Sequence, residues 1–158
     1  MNQQKINDTF TLEIPDSLAP MSSRELEELS RNGGDPCRWG AWDRENHVMM
    51  TALWKDYPAL LARLADLKAI AKRNEQLTRK AYEKHDYRLL GFDTLQAGET
   101  KAMGYRYTYR AGDIQQAVTC WLIKDGRTVY ALMCNGREEN SAADQAMFRG
   151  VMEGLRRL

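Results

Sequence analysis

Histidine is nearly absent from this chain, which carries only His47 and His85 among its 158 residues. Neither has a second histidine or a cysteine at ligand spacing, so the sequence argues against a zinc centre. His47 falls at an expected hairpin turn. His85 falls just past an expected helix end, where a cationic side chain is favoured by the helix dipole. Cysteine is also scarce: Cys37, Cys120 and Cys134 are an odd number with no CxxC spacing. That pattern fits buried thiols in a reducing compartment. No GxSxG, P-loop, GxGxxG or HExxH pattern occurs, which removes the common nucleophile-elbow, nucleotide and zinc-protease readings. No apolar run approaches the roughly 20 residues of a membrane-spanning helix. Met1 to Asp8 lack the apolar core of a secretory signal and any lipidation cysteine, so a cytoplasmic location is expected. Net charge is +1, too small for a global pull toward nucleic acid or an anionic membrane.

Charge is nevertheless unevenly placed. Residues 1–35 hold three basic and seven acidic side chains, and residues 58–84 hold seven basic and three acidic ones. Lys72, Arg73, Arg79 and Lys80 have a spacing that could follow a phosphate backbone. Asp66, Glu75 and Glu83 interrupt them and stacking aromatics are scarce, so a solvated helix face is the expectation and nucleic acid is not.

The apolar pattern predicts an α+β fold in one domain spanning residues 1–158. Thr9 to Ile14 alternates with the period of a strand. Ser22 to Leu29 reads as a short helix with a capping box from Ser22 and Glu25. Asn32-Gly33-Gly34-Asp35-Pro36 reads as a loop. A hairpin is predicted over 37–55 with its turn at Glu45-Asn46. That register puts Trp39 on one face with Val48, Met50, Ala52 and Trp54, and Trp42 on the other with Met49, Thr51 and Leu53. Both faces are apolar, so the hairpin is covered twice or leaves a sticky surface. One long helix is expected from Pro58 to about Lys84, with Leu60, Leu64, Leu67, Ile70 or Ala71, Asn74, Leu77 and Ala81 as its buried stripe. Four strands follow: Tyr87 to Thr94, Lys101 to Arg110, Ile114 to Ile123 and Thr128 to Asn135. Asp125-Gly126 signals a type I′ turn between the last two. That register pairs Trp121 with Tyr130 and sets Cys120 and Cys134 on opposite faces. A closing helix starts at about Ser141, capped by Ser141 and Asp144, with Met147, Phe148, Val151, Met152 and Leu155 inward. The expected architecture is thus an antiparallel sheet of about six or seven strands, packed by one long and two shorter helices.

The chemistry-bearing groups are thin. Glu27-Glu28 and Glu138-Glu139 are adjacent pairs near helix ends, where acidic residues are routine. Cys120 lies mid-strand and reads as an inert thiol. Cys134 and Cys37 are better placed as nucleophiles but lack an identifiable base. No cofactor is implied. The concentration of aromatics on strands is more suggestive, and Trp39, Trp42, Tyr105, Tyr107, Trp121 and Tyr130 are the candidate partner-binding residues. Eight methionines add adaptable apolar surface. The C-terminal helix, a second copy of the chain or a partner segment are the candidate covers for an exposed sheet face.

The element order, from the Thr9 to Pro15 opening strand through the meander, resembles the PsbP/DcrB-like superfold. The best-matching stretch is Gly104-Tyr105-Arg106-Tyr107, the strand around Trp121, then Gly126 to Leu132 and Phe148 in the final helix. Members of that superfold are mostly non-catalytic binding proteins. They include a photosystem accessory subunit, a nuclear-transport factor that binds a small GTPase, bacterial lipoproteins, and cytosolic chaperones that shield hydrophobic segments of secreted toxins. The resemblance implies a protein-binding module, an intracellular adaptor or a secretion-linked chaperone, with a protein or peptide partner. It carries over no individual binding residue. A small enzyme with a cysteine-based site and an immunity-type inhibitor protein are the alternatives.

Overall fold

Three two-residue loops, each starting with glycine, organise the larger sheet. In the computed structural model, which describes residues 1–31 and 36–158, Gly98, Gly112 and Gly126 have φ of +61°, +61° and +59°. The residue after each glycine has an ordinary negative φ, which is the arrangement of a type II′ turn. These loops join β6 (Arg88–Ala97), β7 (Thr100–Ala111), β8 (Ile114–Asp125) and β9 (Thr128–Arg137) into a meander. The last loop is Gly126-Arg127 rather than the expected Asp125-Gly126, because Asp125 keeps an extended backbone and pairs with Thr128. Trp121 therefore opposes Leu132 rather than Tyr130. The slip is two residues in the pairing, so every side chain stays on its expected face.

The hairpin of β4 (Trp39–Asp43) and β5 (Val48–Asp56) has the expected register, with Trp39 opposite Ala52 and Trp42 opposite Met49. Asp43 accepts bonds from the Asn46 amide N–H at 3.1 Å and from its side chain at 2.7 Å, and His47 closes the turn at φ +56°. With the short edge strand β3 (Ala19–Pro20), the seven strands run in the order β3-β4-β5-β9-β8-β7-β6, antiparallel throughout. A second sheet, absent from the sequence expectation, pairs β1 (Asn2–Ile6), β2 (Phe10–Ile14) and β10 (Arg156–Arg157).

The helices are α1 (Ser23–Ser30), α2 (Ala59–Leu64), α3 (Leu67–Ala81) and α4 (Ser141–Glu153). The capping box on α1 is present: the Glu25 N–H donates to Ser22 Oγ at 3.2 Å, and the Ser22 N–H to Glu25 Oε1 at 3.0 Å. The single helix expected from Pro58 to Lys84 is instead two. Asp66 has an extended backbone and caps α3 by accepting the Ala69 N–H at 2.7 Å. The Lys124 ammonium donates to the carbonyls of Ala62 and, at 3.0 Å, of Ala65, closing the end of α2. The break divides the predicted stripe. Ile70, Ala71 and Glu75 are buried, whereas Leu60, Leu64 and Leu77 stand in solvent. The cap expected from Ser141 and Asp144 is also overturned. Asn140, the last residue of a 3₁₀ turn at Glu138–Asn140, occupies that position without a side-chain bond. The loop expected over 32–35 lies outside the described residues.

Two apolar interiors flank the large sheet. On one side α4 and the small sheet bury Phe10, Trp39, Met50, Trp121, Tyr130, Leu132, Cys134 and Phe148. On the other α3 packs on β7 and β8 over Tyr105, Tyr107, Val118, Cys120 and Leu122. Each sheet face is thus apolar for its own reason, and Cys120 and Cys134 do point apart. Among the described residues no helix is long and apolar enough to cross a membrane.

Candidate functional site

Residues opposite one another in a ladder share a face, so the pairing defines rows that cross the sheet. One row on the α3 side runs Tyr107, Val118, Asn135, Met49, Trp42. Its neighbour runs Tyr105, Cys120, Met133, Thr51, Gly40. The first two members of both rows lie beneath α3 and are buried. Beyond β8 the cover thins, although Val129, Ala131 and Thr51 on this face are still buried. Gly40 is sealed by Met21, just before α1, and by Leu26 of that helix, since a Cβ there would approach the Met21 sulfur at 2.7 Å and Leu26 Cδ2 at 3.2 Å. Between α1 and α3, Trp42, Met49, Leu53, Met133 and Asn135 remain half-buried. They form an apolar strip across β4, β5 and β9.

The edge of this strip is fixed by charge. The Arg44 guanidinium stacks on Trp42, 4.0 Å from the ring centroid, and reaches Glu25 Oε2 at 3.1 Å. The Glu25 carboxyl is held below the usual carboxylate range by its bonds to the Ser22 backbone and hydroxyl, with Arg44 adding to the effect. Trp42, Asp43, Arg44, His47, Val48 and Met49 line an open cavity of about 380 Å³ at this end. A second open cavity of about 390 Å³ lies along α1 beside Leu26, Ser30 and Cys37. A smaller one of about 130 Å³ lies between Phe10, Glu99 and Arg157. At the inner end of the strip, Asn135 donates to the Tyr109 hydroxyl at 3.2 Å.

The six aromatics singled out from the sequence do not share one surface. Trp39, Trp121 and Tyr130 lie in the interior under α4 and the small sheet. Tyr130 meets Phe10 edge-on at 5.2 Å, and its hydroxyl accepts from Asn7 at 3.2 Å. The Trp39 indole N–H points to Gln4 Oε1 at 3.4 Å. Tyr105 and Tyr107 lie under α3. The Tyr105 hydroxyl is 2.7 Å from the Asn74 side-chain nitrogen and 2.8 Å from the Thr78 hydroxyl. Tyr107 packs among the rings of Tyr82, Tyr87, Tyr105 and Tyr109. Burial pushes both phenols well above their ordinary value. Of the six, only Trp42 is half-exposed and belongs to the strip. Met49 and Leu53 are expected on the same hairpin face as Trp42, but neither they nor Met133 are among the candidate partner-binding residues. Their signal was the abundance of methionine combined with the apolar outer face of the hairpin.

The thiols are poorly set for nucleophilic work. Burial raises Cys134 to about 12, and the nearby Asp144 carboxylate adds to the rise. Burial likewise raises Cys120 to about 12 and lifts Cys37 above its ordinary value. A reactive cysteine needs the opposite environment. Among the described residues no group of three or more His, Cys, Asp or Glu is arranged to hold a metal ion.

No protein-family model and no curated protein matches the chain. Solved structures do match, and they show a PsbP-like fold. The chain is similar to cyanobacterial PsbP (CyanoP) from Synechocystis sp. PCC 6803, with a TM-score of 0.70 and 10% identity, covering 99% of this chain and 92% of that one. It is also similar to a variant of the protein Mog1, at 0.61 and 10% identity, over 99% and 96% of the two chains. LpqN, involved in cell envelope biogenesis of Mycobacterium tuberculosis, matches at 0.60 and 14% identity over 94% and 82%. At such identities the likeness is one of fold, and function has to be argued from the site.

Proposed function

We propose that this chain is a non-catalytic protein-binding module, an adaptor or chaperone that holds an apolar segment of a protein partner. The observation that carries the reading is the strip of Trp42, Met49, Leu53 and Met133, left half-buried between α1 and α3 on the face whose core α3 covers. An extended or helical segment can lie along an apolar strip of this kind, with methionines adapting to the side chains it presents. Arg44 and Glu25 at the rim supply polar partners for the segment's ends. The elevated thiols favour this reading over a cysteine-based enzyme. Three unpaired cysteines favour a reducing compartment such as the cytoplasm.

Affinity capture of the tagged protein from its native cells, with mass spectrometry of what co-purifies, tests the reading when paired with a Met49→Glu, Met133→Glu variant. The expected result is one near-stoichiometric polypeptide with apolar segments, retained by the parent and lost by the variant. Circular dichroism establishes that the variant remains folded. Equal capture by a folded variant would remove the strip from consideration. A catalytic turnover found by substrate screening would overturn the non-catalytic reading itself.

A further inference from the structure

The break between α2 and α3 leaves a second surface, unrelated to the strip. In α2 the buried residue is Ala62, which faces the sheet. At about 100° per residue, Leu60 and Leu64 lie on the opposite side of the helix, and they are 68% and 74% exposed. Leu61 beside them is 54% exposed. In α3 the sheet side is Ile70, Ala71 and Glu75, so Lys68, Lys72, Arg73 and Lys80 lie outward and exposed. Both helices cover the same sheet face, since Lys124 of β8 binds the end of α2 and α3 packs on β7 and β8. Their outward sides therefore form one surface, leucines at one end and cations along the rest.

The acids of this segment are few and lie apart from the row of cations. Asp66 caps α3, Glu75 is buried against Arg79 at 2.6 Å, and Glu83 lies beyond the last residue of α3. The leucines stand proud of the fold, and none of the three cavities described above is lined by them. Projecting leucines with cations beside them match the pattern of a helix that lies in an anionic lipid interface.

We infer that the outward face of α2 and α3 binds an anionic phospholipid surface, Leu60, Leu61 and Leu64 entering the interface while Lys68, Lys72, Arg73 and Lys80 meet the headgroups. Binding of this kind is peripheral and reversible, because three leucines and a few cations give far less affinity than a spanning helix. Salt weakens it, since the cations act through a screened field.

The test is co-sedimentation of the full chain with vesicles of phosphatidylcholine alone and of phosphatidylcholine mixed with phosphatidylglycerol. The chain should sediment with the anionic vesicles, remain in solution with the neutral ones, and be released by added sodium chloride. Leu60→Ser with Leu64→Ser should weaken binding by about tenfold or more. Lys72→Gln and Arg73→Gln should each weaken it roughly fivefold. All four positions are exposed, so the variants should keep the parent circular dichroism. Three outcomes overturn the inference: no sedimentation with anionic vesicles at low salt, binding unchanged in the leucine variant, or a lipid-free dimer in sedimentation velocity that the leucine variant dissolves. The last would assign the surface to a second copy of the chain.

Discussion

Gly104 lies directly opposite Trp121 in the β7–β8 ladder, and the indole occupies the space that a side chain at 104 would need. A Cβ built on Gly104 would come within 2.7 Å of Trp121 Cε3 and would overlap the Cys120 carbonyl oxygen. The second contact is backbone and cannot swing aside. Gly104→Ala should therefore destabilise the protein by about 1–3 kcal/mol, the usual cost of overpacking a close-fitting interior. Urea unfolding measures it. A loss below about 0.5 kcal/mol would mean that the two strands separate more easily here than the packing implies.

Trp121 and Tyr130 lie in the interior beneath α4 and the small sheet, at 4% and 1% exposure. Truncating both, Trp121→Ala with Tyr130→Ala, should cost about 3–5 kcal/mol per residue and leave little folded protein, because a domain holds only about 5–15 kcal/mol in all. Loss of the cooperative thermal transition is the expected readout. A folded double variant that has lost only partner binding would return these two residues to an interface role.

The reason these aromatics drew attention from the sequence shows what local patterning conveys. Period-two alternation fixed which residues share a face, and the pairs Trp42–Met49 and Leu122–Ala131 occur on the faces expected. It carried no information on which layer covers each face. Asn2 to Ile6 is polar enough to hide its strand character, with only Ile6 buried. Arg156–Arg157 is two exposed residues whose pairing with β2 comes from tertiary placement. Without that small sheet the interior over Tyr130 looks uncovered, and its aromatics read as surface. The helix break was equally silent. Leu60, Leu64 and Leu67 keep a helical spacing through it, and the interruption arises from Asp66 and from Lys124, nearly sixty residues away. The half-exposed strip was legible only in part, through Trp42 and the methionine content.

Asp144 tests the electrostatics at the start of α4. Its Oδ2 is buried against Gly136, without a hydrogen-bond partner among the described residues. Burial raises its pKa above the ordinary 3.8, and the charge of Asp43 raises it further. A carboxyl whose folded pKa lies above its unfolded value binds more protons when folded, so stability falls as pH rises through that window. Ionised Asp144 is thus a net cost at neutral pH. Asp144→Asn should raise the melting temperature at pH 7, and the gain should shrink as the pH is lowered toward 3.8. A gain that is constant across this range would show that charge is not the cause.

Cys134 and Cys37 decide the enzymatic alternative most directly. Cys134 lies in the interior under α4, and its thiol is pushed up to about 12 by burial, with Asp144 opposing the thiolate further. Cys120 on the other face is fully buried and likewise at about 12. At pH 7.5 the thiolate fraction at either site is roughly one part in tens of thousands, far below that of a free cysteine. Cys37 is half-exposed and is raised by partial burial. Titration of the native protein with a thiol-specific disulfide reagent should accordingly modify only Cys37, and more slowly than free cysteine. All three should react in denaturant. Rapid native modification of Cys134 would require that α4 open or that a cation approach the sulfur, and either would restore a nucleophilic cysteine as a live alternative to the binding module.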